Sequence, residues 1–366
     1  IAGPTAGAQT QPSPVFDTKP VITHGPYLVD PSETAITVVW TTDTPSHSEV
    51  RYGIGEALDG RAEAARHGLL PVGTLHAIRV TGLTPGRTYN YKAVSTRVVK
   101  LKAYWPEKGL PVESATYSFT TLDRNKPTAS FTVVTDTHED VPRINALMQA
   151  VDWKTTEFLV HDGDAFDWMD TEDQLFAKWL DPIGKGLAHA KALVTVRGNH
   201  ETRGPFAREL FNYVPLEGGE FYSVRDAGPM HVLVLDTGED KPDSTNVYAR
   251  LNRSEPYLAD ELGWFAAHAK TSARFASAPF RVVLMHQPNW GSMQDGAAKW
   301  RALANETGVD LVISGHTHRF ARRDAGTNGA AFTQLVLGQD QLARVVAFTD
   351  SIRVVVSSPR SVSRST

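Results

Sequence analysis

Ala192-Leu-Val-Thr-Val-Arg-Gly-Asn-His-Glu201 sets an apolar, β-branched run against a polar tail that opens with glycine. The first half predicts a buried strand over 192–196. The second half places an amide, an imidazole and a carboxylate just past that strand's carboxyl end. The same form recurs on both sides. Residues 131–135 run into Asp136-Thr-His138, and 158–161 into Gly163-Asp164. Residues 282–285 run into His286, and 311–314 into Gly315-His-Thr-His318. Residues 232–235 form another strand. Amphipathic stretches at 141–153, 171–180, 259–272 and 297–307 predict helices between them. This alternation predicts an α/β domain over residues 129–366, closing in antiparallel strands over 334–357.

Residues 21–121 have another rhythm. Short strand-forming runs at 35–42, 48–53, 75–83, 88–94 and 117–121 are separated by Pro, Gly and Ser turns, with no helical pattern. They predict an all-β sandwich. The polar stretch 122–128, which contains Pro127, predicts a linker. Residues 1–20, rich in Ala, Gly, Pro, Thr and Gln, predict a flexible lead-in. The chain starts at Ile1, not Met, so the given N-terminus is expected to be either processed, with a targeting segment removed, or truncated; a secreted or periplasmic protein is expected.

Composition excludes several classes. The 366 residues carry 37 Lys and Arg against 41 Asp and Glu, a net charge of −4 with no basic block. A dedicated nucleic-acid surface is therefore unsupported. No apolar run reaches the roughly 18 residues of a membrane helix. With no cysteine, disulfides, thiolate ligands and thiol nucleophiles are all excluded.

Polar residues at the carboxyl ends of five strands point to one site, because loops converge at that edge of an α/β sheet. Carboxylate, imidazole and amide oxygen suit Mn, Fe, Zn, Co or Ni. Asp136, His138, Asp164, Asn199, His286, His316 and His318 exceed the needs of one tetrahedral ion. They suit two ions sharing a carboxylate, which roughly 3.5–4 Å apart hold a hydroxide for in-line displacement. Taken singly, each residue has a plainer reading. Asp136 and Asn199 suit turns or caps, and His286 suits a buried histidine. His161 and Asp162 read as strand-end polar residues, and Glu139 and Glu201 adjoin candidate ligands. Arg143, Arg203 and Arg319 read as solvated surface, with an anionic substrate as their alternative partner. Trp168 and Trp290 are candidates to wall the pocket.

The ordered set D-x-H, G-D-x-x-D, G-N-H-E, a lone histidine after an apolar strand, and G-H-x-H resembles the calcineurin-like metallophosphoesterase family. The N-terminal region, with Gly25-Pro-Tyr-Leu28 and the Trp40 strand, is similar to the fibronectin type III-like domain of purple acid phosphatases. The resemblance implies a fibronectin-like sandwich followed by an α-β-β-α layered domain. It implies Asp136, His138, Asp164 and His318 at one metal, and Asp164, Asn199, His286 and His316 at the other, with Asp164 bridging. His200 then contacts a phosphate oxygen and protonates the leaving group, and Asp167 hydrogen-bonds His200. Purple acid phosphatases have Gly where His138 stands and Tyr where Asp167 stands, so a purple ferric centre is not expected. The implied cofactors are two divalent or mixed-valence ions, Fe, Mn or Zn. The implied function is hydrolysis of a small phosphomonoester by direct attack of a bridging hydroxide. A phosphodiesterase on the same site is the nearest alternative. A fibronectin-like binding module beside an inactive second domain is the alternative of another class.

Overall fold

The computed structural model describes residues 13–291 and 295–359. The N-terminal strands are β1 (Ile22–Val29), β2 (Ile36–Gly53), β3 (Gly60–Ala62), β4 (Gly73–Val80), β5 (Thr88–Lys100), β6 (Glu107–Glu113) and β7 (Tyr117–Thr120). Leu28, Val38, Trp40, Val50, Ile78, Tyr91 and Phe119 fill their core. The Trp40 indole N–H donates to Ser95 Oγ at 2.8 Å. The Tyr89 hydroxyl accepts from the Thr84 backbone N–H at 2.9 Å, tying down the corner before β5. The two expected strands at 35–42 and 48–53 are one long strand, β2, whose ends pair with different neighbours.

The remaining strands are β8 (Ala129–Val134), β9 (Phe158–Asp162), β10 (Ala192–Val196), β11 (Ser223–Ala227), β12 (Met230–Leu235), β13 (Phe280–Met285), β14 (Leu311–Ser314), β15 (Ala321–Arg323), β16 (Thr333–Val336), β17 (Leu342–Ala347) and β18 (Ile352–Ser357). One sheet runs β18-β17-β8-β9-β10 and continues through β1 into the N-terminal strands. The other runs β11-β12-β13-β14-β16-β15. Alternation along the strands builds the layers. Phe131, Val133, Val160, Val194, Val282, Leu284 and Ile313 meet between the sheets. Leu159 and Leu193 face outward onto Ile144 and Leu147 of helix Val141–Ala150 and onto Trp179. Val283 and Met285 face outward onto Phe265 and Trp300, from helices Ser254–Thr271 and Gly296–Glu306. The order of layers is α-β-β-α.

Three further expectations change. Residues 334–357 are not one antiparallel unit, because β16 pairs parallel with β14 while β17 and β18 belong to the other sheet. Leu335 is thereby buried between the sheets. Of the expected lead-in, 1–12 lie outside the described residues. Residues 13–20 are anchored alongside β6, with the Phe16 N–H donating to Lys108 at 2.8 Å and the Leu110 N–H to Thr18 at 2.7 Å. Finally, β1 pairs parallel with β10 at Leu28↔Ala192 and Val29↔Leu193, so the sandwich and the α/β region share a sheet across the expected linker. Among the described residues, no helix is long and apolar enough to cross a membrane.

Candidate metal centre

Strands β8, β9 and β10 of one sheet and β13 and β14 of the other end at a common edge. Three loop-to-loop bonds hold the first two turns together. The N–H groups of Asp136, His138 and Glu139 donate to the carbonyls of Gly163, Asp164 and Ala165 at 3.0, 3.1 and 2.8 Å. The His316 N–H donates to the Asp136 carboxylate at 2.9 Å, joining the two sheets. Glycine is required where these turns crowd. A Cβ on Gly163 would overlap the His286 ring, and one on Gly315 would overlap Thr135 and Asp136. Asp136, His138, Asp164, His316 and His318 all have φ between 43° and 70°. Such left-handed backbone costs non-glycine residues of order 1–3 kcal/mol each, and it gathers at functional sites.

The side chains fall into overlapping groups. Donor atoms of Asp136, His138, Asp164 and His318 lie within 4.8 Å of one another, as do those of Asp164, His286 and His316. His318 Nε2 is 3.3 Å from Asp136 Oδ1 and 3.1 Å from His138 Nε2. His286 Nε2 is 2.9 Å from Asp164 Oδ2. Asn199 Oδ1 is 3.0 Å from His316 Nδ1. All seven sequence-predicted ligands therefore meet, with Asp164 common to both groups. His286 donates through Nδ1 to the Asp162 carbonyl at 2.6 Å, which aims Nε2 at the cluster.

Electrostatics fit a cation. Burial disfavours charge on Asp164, yet His286 and His200 hold its carboxyl well below the usual range. Burial likewise disfavours the His286 imidazolium, but Asp164 and Asp136 hold its proton well above the usual histidine range. Burial, assisted by His286, lowers His316. The donors are all nitrogen and oxygen, and two imidazole Nε2 atoms face each other across 3.1 Å. That set suits borderline divalent ions.

His200 begins the short turn His200–Thr202 after β10. Its Nδ1 donates to the main-chain carbonyl of Asp167 at 2.6 Å, and Nε2 lies 4.0 Å from Asp164. The expected contact from the Asp167 carboxylate to His200 is not the one formed. That carboxylate accepts from His138 Nδ1 at 2.9 Å, because His138 and His200 flank it and the main chain already serves His200. Glu201 is buried and accepts from the N–H groups of Asp164, Ala165 and Gly198 at 2.9, 2.6 and 2.7 Å. Trp168 is exposed, whereas Trp290 is core and stacks on Trp300. Arg143 pairs with Asp340 at 3.0 Å, Arg319 is exposed, and Arg203 reaches His200. Sequence reasoning missed Glu239, which is buried and grips Arg203. Its signal was present: 236–239, Asp-Thr-Gly-Glu, ends β12 as the ligand motifs end their strands.

Two facing sheets with a nitrogen–oxygen donor cluster at their shared carboxyl edge define a layered α/β protein with a candidate metal centre. A model of the calcineurin-like phosphoesterases matches residues 129–320, and one of the purple acid phosphatase N-terminal domain matches 26–121. The chain belongs to the calcineurin-like phosphoesterase family and is a phosphoesterase with a purple acid phosphatase-like N-terminal domain. It is 25% identical over 333 residues to acid phosphatase type 7 of Mus musculus, covering 82% of this chain and 69% of the mouse protein. It is 25% identical over 329 residues to acid phosphatase type 7 of Homo sapiens, covering 79% and 67%. The structure of purple acid phosphatase PPD1 from yellow lupin seeds shares the fold with a TM-score of 0.65 at 16% identity, covering 93% of this chain and 72% of the lupin chain. The fold and the donor groups imply a dinuclear metal centre.

Proposed function

We propose that the chain hydrolyses small phosphomonoesters, with Asp136, His138, Asp164 and His318 holding one ion and Asp164, Asn199, His286 and His316 the other. Fe, Mn and Zn are the ions that best suit this donor set. Bound there, the ions supply Lewis-acid neutralisation of the phosphoryl oxygens and an activated water. His200 does the proton work. Its Nδ1–H stays on the Asp167 carbonyl, so Nε2 is the atom that contacts a phosphate oxygen and protonates the departing alkoxide. The Asp167 carboxylate orients His138. Glu201 keeps the turns carrying Asp164 and Asn199 in register, since its carboxylate bonds the backbone on both.

The observation that carries this reading is the meeting of donors from four strand ends, with Asp164 in both groups, and of Asn199 from a fifth beside His316. The relatives named acid phosphatase support the monoester over the diester. Rates on phenyl phosphate and bis(phenyl) phosphate, measured with metal content, test it. Two ions per chain and a faster monoester are expected; a faster diester would overturn the monoesterase reading.

A further inference from the structure

Arg203 follows the His200 turn and leaves it sideways. Its Nε and Nη2 donate to the two carboxylate oxygens of Glu239 at 2.6 and 2.9 Å, a fork-on-fork pair. Nη2 also reaches Asp240 at 3.1 Å. Glu239 is buried, so the guanidinium plane has no freedom to swing. The group left over is Nη1, which donates to His200 Nε2 at 3.1 Å and lies 3.4 Å from Nδ1 of the same ring. Nε2 is the ring atom assigned to the phosphoryl group. On its other side Arg203 lines a cavity of about 520 Å³ with Lys241, Tyr248 and Leu251. The side chain thus sits at an open cleft and is 26% exposed.

We propose that Arg203, fixed by Glu239, is a phosphate-binding residue that selects the monoester dianion. The proposal rests on the phosphomonoesterase reading and deepens it. A phosphomonoester has three charged or partly charged non-bridging oxygens, and a diester has two. Two would suffice to meet the two ions. The third exists only in the monoester, and it accepts from an N–H of Nη1 and, with His200 protonated, from Nε2–H. In a diester that position is an ester oxygen, a weak acceptor. Glu239 and Asp240 offset most of the charge on Arg203, so its contribution is directional, made by an N–H held at one point beside His200. A charge-assisted hydrogen bond of this kind corresponds to about a 10–100-fold effect on binding.

Arg203→Gln tests this, paired with Arg203→Gln/Glu239→Gln so that no buried carboxylate is left alone. The readouts are the dissociation constant for inorganic phosphate by calorimetry, KM and kcat for phenyl phosphate, and the monoester-to-diester ratio of kcat/KM, all on protein with verified metal content. In both variants the expected result is about a 10–100-fold weaker phosphate affinity and a higher monoester KM. The selectivity ratio falls by a similar factor, and Arg203→Lys restores part of it. Unchanged phosphate affinity, or equal losses on both esters, would overturn the proposal and leave Arg203 a strut for its turn. Wild-type protein that hydrolyses neither ester contradicts the phosphomonoesterase reading itself, before any variant is compared.

Discussion

His138 Nε2 stands 3.1 Å from His318 Nε2, although the two residues are 180 positions apart in the chain. Without an ion, the Nε2–H of one ring donates to the lone pair of the other at that spacing. A shared cation would take the place of that proton between the rings, and Asp136, 3.3 Å from His318, puts negative charge beside it.

His200 touches this cluster without belonging to either ligand group. His200→Ala is expected to keep both ions and to lower kcat by about 10²–10⁴-fold, the usual worth of a general acid. Elemental analysis and steady-state kinetics on one preparation check it, and loss of both ions would contradict the assignment.

Glu201 is expected to matter for stability more than any other side chain beside the site. Its buried carboxylate satisfies three backbone N–H groups from two loops. Glu201→Ala strands all three and is expected to cost about 3–5 kcal/mol, with metal affinity falling about 10–100-fold. Denaturant unfolding and metal titration check both effects.

Much of this centre was legible because each ligand type stands where a strand stops. The apolar runs before Asp136, Asp164, Asn199, His286 and His316 state the strand, and the glycines at 163, 198 and 315 state the turn. What could not be read depended on three-dimensional closure. The 334–357 region looks like one antiparallel unit, yet β16 crosses to the second sheet to bury Leu335. The parallel pairing of β1 with β10 joins residues over 160 positions apart and leaves no local pattern. The Asp167 carboxylate fell on His138 rather than His200 because a main-chain carbonyl, invisible in sequence, had taken that partner.

Metal binding is expected to release protons. Without an ion, Asp164 and Asp136 hold the His286 proton well above the usual histidine range, so an incoming ion must displace it. Affinity therefore tightens as pH rises and weakens on acidification. Calorimetric titration in two buffers of different ionisation enthalpy measures the release; no net release at neutral pH contradicts it.

Acid should weaken the sandwich through His76. It is buried, with Nε2 2.9 Å from Thr42 Oγ1, and burial lowers its pKa to about 4 from about 6.5. Below pH 6.5 the unfolded chain binds the extra proton and the folded chain does not. This contribution to stability is whole above about 6.5 and is lost as pH falls toward 4, about 3 kcal/mol across that window. Thermal melts of wild type and His76→Gln from pH 7 to 4 check it, and the variant is expected to show the flatter profile.

Asp164 is the one residue in both ligand groups, so metal content of Asp164→Ala beside wild type tests the account most directly. The account predicts two ions per chain in wild type and fewer than one in the folded variant. A folded variant that retains two ions, or a folded wild type that binds none when titrated, would contradict it.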